Sequence, residues 1–142
     1  EKVSLEEMDK RLLHVTSILG IQELLSAYPP EISVGQKQRV AAARALITNP
    51  KIIFADEPTG SLDSKSATEL LKYLAEINLH DDATILMVTH DPYTASFCNR
   101  ILFIKDGAIF SEVVRQGSRK EFFNRVIDMQ ATIGGGGRAN DF

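Results

Sequence analysis

Residues 52–64 read IIFADEPTGSLDS. Four apolar residues run into two adjacent carboxylates, Asp56 and Glu57, and a third, Asp63, follows across a Pro and a Gly. Two acids at the carboxyl end of a buried strand are costly unless something pairs them. A hydrated Mg²⁺ would do so, because it takes oxygen ligands and keeps several waters. One acid then holds the metal, directly or through water, and the next faces a nucleophilic water. That division suits phosphoryl transfer, where positioning and charge stabilisation dominate. The plainer alternative is a solvated strand end beside a turn, and these residues alone leave both open.

Two other places carry chemistry-bearing residues. Ser33 and Gly35 stand at the start of the helix-forming run SVGQKQRVAAARAL, where exposed N–H groups and the positive dipole end favour phosphate. Gly35 would let the backbone approach closely. As a bare pattern, Ser33 reads first as a plain N-cap. His90 follows the apolar run ATILMVT, and a capping or core histidine is the alternative to a functional one. His14 and His80 have no such context and read as surface or packing residues. The single Cys98 cannot form an internal disulfide, which fits a reducing compartment, and reads as a small, partly buried side chain.

The elements that must position these groups follow from pattern. Ser4 to Leu13 places acids first and bases later, as a helix dipole favours. Leu5, Met8, Leu12, Val15 and Leu19 form an apolar stripe at helical spacing that ends near Gly20. A short helix is expected over Gln22–Ser26, stopped by Pro29 and Pro30. A helix is expected from Gly35 to Ile47, closed by Asn49-Pro50. Lys51–Ala55 should be a strand and Ser64–Asn78 a helix, with Asp81-Asp82 as a turn. Ala83–Thr89 has the continuous apolar character of a strand buried on both faces. Pro92–Phe97 should be a short helix, and Arg100–Lys105 a strand joined by Asp106-Gly107 to Ala108–Val114, a hairpin signal. Arg119–Ala131 closes the pattern as a helix, and the Gly run at 134–137 opens a flexible tail. Helices and strands in alternation predict an α/β fold with a parallel sheet, whose ligands bind beyond the carboxyl ends of the strands. Asp56, Glu57 and His90 all fall there.

Bulk composition adds exclusions. The net charge of −3 and the lack of a basic stripe argue against a nucleic-acid partner. No apolar run reaches the roughly 18 residues needed to span a bilayer, so direct membrane insertion is not expected. The chain opens at Glu1 rather than Met, close to a helix, which reads as a piece of a longer protein.

Taken in order, ISVGQ with KQRVAAARAL, then IIFADEPTG, SLDS and VTHD, resemble the carboxyl-terminal part of an ABC-type ATPase subunit, and the resemblance covers essentially the whole chain. It implies an incomplete P-loop NTPase core of the RecA-like, ABC type, with a parallel sheet and the end of the helical subdomain. Asp56 then matches the Walker B aspartate that holds Mg²⁺, and Glu57 the catalytic carboxylate that orients or activates the attacking water. His90 matches the switch histidine at the γ-phosphate. Ser33, Gly35 and Gln36 match the signature motif, which in this family grips the ATP held by a second subunit, and Asp63 lies in the loop between subunits. The implied ligands are ATP and Mg²⁺. The implied partners are a second ATPase subunit, in an ATP-dependent homodimer, and a membrane permease. The implied location is the cytoplasmic face of the cell membrane, reached through that permease.

The corresponding division is 1–34 as the end of the helical subdomain and start of the signature, 35–117 as nucleotide-binding core, 118–133 as a terminal helix and 134–142 as a tail. SVGQKQRVAAARAL, DEPTGSLDSKSATELL and the end RKEFFNRVIDM…GGGGRANDF resemble more narrowly the ATPases of bacterial antimicrobial-peptide resistance systems of the bacitracin type. The last helix is a docking element or packs on its own domain. Other roles within the family, or a standalone non-catalytic interaction fragment, are the alternative functions.

Two departures stand out. The family pattern has Gly-Gly after the Ser, and here Val34 replaces the first Gly, a substitution tolerated only if φ is negative there. No GxxxxGK[ST] occurs in these 142 residues, so the main cradle for the β- and γ-phosphates is missing. The chain alone is therefore expected not to turn over ATP. In the family the strand leading into that loop sits between ATILMVT and RILFIK, so open strand edges are expected here, with the last hairpin rearranged or paired with another chain.

Overall fold

Ser4 opens the first helix, its hydroxyl accepting from the Glu7 amide at 3.2 Å. Helix α1 runs Leu5–Ile18, and Gly20, at φ +60°, ends the turn that follows. In the computed structural model residues 3–80 and 83–135 are described. The chain divides into two compact units, Glu1–Val88 and Thr89–Phe142. The expected Asp81-Asp82 turn and residues 136–142 of the expected tail lie outside the described residues.

In the first unit two short 3₁₀ turns, Gln22–Leu24 and Pro29–Glu31, lead to α2, Val34–Leu46. Asn49, at φ +53°, takes the chain from α2 into Pro50. Strand β1 is Ile52–Asp56, α3 is Ser64–His80 and β2 is Thr84–Val88. β1 and β2 pair in parallel with Phe54 opposite Leu86 and Asp56 opposite Val88, so the expected βαβ unit is present. Leu19, Ile21, Val15, Leu46, Ile53, Ile77 and Ala83 form its core. Each fully buried aliphatic side chain of this kind is worth about 1.5–3 kcal/mol through the apolar surface it takes from water.

The expectation that 83–89 is buried on both faces is corrected. Ile53 and Ile85 face the helices, but the opposite face carries Ile52, Phe54, Leu86 and Val88 in the open, with Phe54 76% exposed. Side chains alternate along a strand, and α1–α3 cover only one side of this pair. A continuous apolar run identifies residues suited to two-sided burial, not whether a second layer is at hand.

In the second unit α4, Pro92–Ala95, precedes β3, Arg100–Lys105, and β4, Ala108–Val114. These strands form their own antiparallel sheet. Asp106 lies at φ +52° and Gly107 at φ +76°. They make the left-handed pair that a two-residue hairpin requires. Helix α5, Arg119–Gly135, starts at Ser118, whose hydroxyl accepts from the Glu121 amide while the Glu121 carboxylate accepts from the Ser118 amide at 2.7 Å. It runs past Ala131 and takes in Gly134 and Gly135, residues expected in the tail. The Lys105 ammonium donates to the Ile133 carbonyl at 3.3 Å. It supplies the positive partner that a helix carboxyl end favours. Phe122 and Val126 are fully buried among Ala95, Phe103 and Val113.

Candidate functional site

The end of β1 is shaped by an unusual backbone. Glu57 lies at φ +41°, a region that non-glycine residues seldom adopt. Pro58 follows it, and a residue before proline is steered toward extended backbone. Holding Glu57 left-handed therefore costs about 1–3 kcal/mol. Its amide donates to the Val88 carbonyl at 2.9 Å, one step beyond the ladder, and its carbonyl accepts from Gly60 at 3.0 Å. The strand end and the turn after it thus clamp Glu57 on both sides. Glu57 is half-buried, whereas Asp56 is exposed beside it. Nothing in the local pattern signalled this conformation, since the Glu-Pro pair argues for the opposite one.

Asp63 holds the amino end of α3. One oxygen accepts from the Lys65 and Ser66 amides at 3.0 Å each, and the other from the Ser66 hydroxyl at 2.8 Å. The Ser66 amide and hydroxyl hold its carboxyl below the usual carboxylate range, as hydrogen bonds to the charged form do.

Ser33 caps α2 by a reciprocal box. Its hydroxyl accepts from the Gln36 amide at 3.2 Å and its amide donates to the Gln36 side-chain oxygen at 2.8 Å. Two donors at the helix start are satisfied this way, and the Gln36 oxygen is already used within the cap. A hydroxyl that accepts one bond still has a proton to give, and the first-turn amides of a helix have no intrahelical acceptor. Val34 opens the helix in helical backbone and is exposed, so the β-branched side chain is tolerated. Ser33→Ala is expected to lower the stability of the first unit by about 1 kcal/mol, read as a lower urea midpoint at unchanged slope. An unmoved midpoint would mean that the cap contributes nothing.

Gly35 has a role that spacing did not reveal. A Cβ there would stand 3.0 Å from the Ser66 Oγ and 3.2 Å from its Cβ. The glycine thus lets α2 lie directly against the start of α3. The Gln38 amide donates to the Ser61 hydroxyl at 3.3 Å, and Arg39 pairs with Glu69 at 3.1 Å across the same contact. The residues expected at a helix amino end and those of the Asp63 turn are joined through packed helices.

His90 lies in the second unit, two residues past Val88 in the chain, and is exposed. Its surroundings are well defined. The Asp91 amide donates to the Thr89 hydroxyl at 3.1 Å. The Asp91 carboxylate caps α4, accepting from the Tyr93 and Thr94 amides and from the Thr94 hydroxyl at 2.6 Å. Burial alone would raise the Asp91 pKa. The Thr94 hydroxyl and amide, the Tyr93 amide and the charge of His90 outweigh it and hold the carboxyl below the usual range.

The carboxylates fit a magnesium ion. Asp56 offers one exposed carboxylate at a strand end, beside Glu57. One or two carboxylates with water and substrate phosphates is the donor set Mg²⁺ takes, as opposed to an all-protein cage. Cys98 is a free thiol whose pKa burial pushes up, the behaviour of a packing residue. Among the described residues no helix is long and apolar enough to cross a membrane.

Comparison with known proteins points one way. The ABC transporter family profile matches residues 1–60. The chain is 50% identical over 135 residues to an uncharacterized ABC transporter ATP-binding protein of Bacillus subtilis, YvcR, covering 95% of this chain and 52% of that protein. It is 50% identical over 135 residues to the bacitracin export ATP-binding protein BceA of Halalkalibacterium halodurans, covering 94% and 53%. The chain spans about half the length of the curated relatives it matches. Among solved structures it is similar to the dimeric ABC transporter cassette MJ0796 of Methanocaldococcus jannaschii, with TM-score 0.67 and 41% identity over 83% of this chain and 51% of that one. It is also similar to cbiO1 of Clostridium perfringens, part of an ABC transporter complex, with TM-score 0.76 and 30% identity over 92% and 51%.

Proposed function

Because the chain belongs to the ABC transporter ATP-binding family, we propose that it is the carboxyl-terminal part of an ATP-hydrolysing subunit that powers export of, or resistance to, antimicrobial peptides. The observation that carries the enzymatic reading is the end of β1. Asp56 and Glu57 stand together at the carboxyl end of a parallel strand, with the Glu57 backbone strained and pinned to Val88. Strain of this kind collects where a side chain must point in one direction. The 50% identity to a bacitracin export ATP-binding protein supports the peptide-antibiotic role.

In this reading ATP is the substrate and each residue has one task. Mg²⁺, when bound, neutralises charge on the β- and γ-phosphates, and Asp56 would hold it. Glu57 orients the attacking water and takes up its proton. His90 contacts the γ-phosphate. Ser33 and Gly35, with the backbone of Gln36, present the α2 amino end to the nucleotide of a second copy, and Asp63 lies in the turn that faces that copy. The partners are this second subunit and a membrane permease, which would hold the protein at the inner face of the cell membrane.

The test compares two proteins. The polypeptide encoded by the whole reading frame should hydrolyse ATP with an absolute need for Mg²⁺ and should dimerise when ATP is added. These 142 residues alone, which have no GxxxxGK[ST] loop, should release no phosphate above the no-protein rate. Turnover by the 142-residue chain itself, or none by the whole frame, would overturn the assignment.

A further inference from the structure

Helix α5 reaches the loop that carries His90. The Gln130 side-chain amide donates to the His90 carbonyl at 3.3 Å. Eleven residues earlier in the same helix, about 16 Å along its axis, Arg119 grips the other end of the segment. Its guanidinium lies 4.3 Å from the centre of the Phe97 ring and 5.1 Å from that of Tyr93, and it donates to the Ser96 hydroxyl at 3.3 Å. Tyr93 and Phe97 themselves meet edge to face at 5.4 Å.

Between these grips lies α4, a helix of four residues. A helix so short has no stability of its own in water. Its order comes from the Asp91 cap and from Thr94, Ala95 and Ser96, all buried. The backbone of His90 is therefore set by α5 as well as by its neighbours in the chain.

We infer that α5 positions His90 for the phosphate, with Gln130 as the positioning residue and Arg119 anchoring the far end of the segment. This rests on the proposed ATPase reading, in which His90 meets the γ-phosphate. Gln130 acts through the His90 backbone and touches no substrate. One hydrogen bond shifts a two-state population by about two- to tenfold, and at 3.3 Å and exposed this one belongs at the lower end. That sets the size of the effect.

The experiment uses the polypeptide encoded by the whole reading frame, with Gln130→Leu, which keeps bulk but cannot donate, and Gln130→Lys, which can. Three quantities are read: kcat and KM for ATP, the imidazole ¹H–¹³C signals of His90, and the melting temperature. Gln130→Leu should lower kcat by about two- to tenfold, leave KM and the melting temperature unchanged, and shift or broaden the His90 signals. Gln130→Lys should restore kcat. An unchanged kcat in Gln130→Leu would overturn the inference whatever the His90 signals do. So would equal losses in both variants with a lowered melting temperature, which is the mark of packing alone. If the parent protein hydrolyses no ATP, the enzymatic reading fails separately. The His90 signals of parent and Gln130→Leu then decide positioning by themselves.

Discussion

Glu57→Gln, in the polypeptide encoded by the whole reading frame, should lower ATP turnover by about 10²–10⁴-fold while the ATP-dependent dimer still forms, the magnitude that a positioned general base contributes. The substitution is chosen so that little else changes. Gln has the length and shape of Glu, keeps an acceptor oxygen, and bears the same left-handed backbone at φ +41° that Glu57 already bears. The Val88 hydrogen bond to its amide involves only main chain. What is lost is the negative charge and the ability to take a proton from water. If dimerisation depends on nucleotide bound and not cleaved, blocking cleavage should lengthen the life of the dimer. Phosphate release measured beside light scattering gives both quantities. Turnover within a few-fold of the parent would remove Glu57 from the proposed role. Loss of the dimer together with turnover would point instead to a binding role at the subunit junction.

Phe122→Ala should have the largest effect on folding. Phe122 is fully buried in α5 and meets Val126, Val113, Phe103 and Ala95, the core of the second unit. Truncating a buried phenylalanine costs about 3–5 kcal/mol through lost transfer energy and the cavity left behind. Whole domains hold only about 0.05–0.15 kcal/mol per residue in reserve. For the segment that begins at Thr89 the loss is comparable with everything available, so the segment carrying the hairpin, α4 and His90 should lose its fixed structure. Amide hydrogen exchange should report loss of protection across residues 92–114 and 119–130. Phe122→Leu, which leaves a smaller cavity, should cost less than Phe122→Ala and keep that protection. Full protection in Phe122→Ala would mean that the unit is held by something other than this core.

Much of the local structure was legible because local physics decides it. Ser33 sits where a cap belongs by pattern, and in space it caps α2, with Gln36 answering it in a reciprocal box. Asp106-Gly107 adopts the two positive φ values of a tight hairpin, and a residue that tolerates positive φ followed by Gly suits few other turns. The βαβ unit followed from the alternation of apolar strand and amphipathic helix, and the pairing of β1 with β2 is parallel as that rule requires. Family membership rested on the order and spacing of several motifs together, none of which is specific alone.

Other features had no local signal. Gly35 reads as freedom for a backbone near phosphate, yet the structure also brings the Ser66 side chain of α3 to within 3.0–3.2 Å of where its Cβ would be. That requirement comes from a residue 31 positions away in sequence and from the closeness of two helices. The open face bearing Phe54 and Leu86 could not be read from ATILMVT, since burial depends on what else covers the sheet.

By itself, then, the sequence determined which residues could do chemistry, where helices begin and turns fall, and which family's motifs are present. These are short-range matters of propensity, capping and spacing. Only the tertiary structure decided the left-handed backbone of Glu57, the contact of α2 with α3 at Gly35, and the grip of α5 on His90 through Gln130. Each depends on atoms distant in the chain brought within a few ångströms, and distance in space is not written into the type of any one residue.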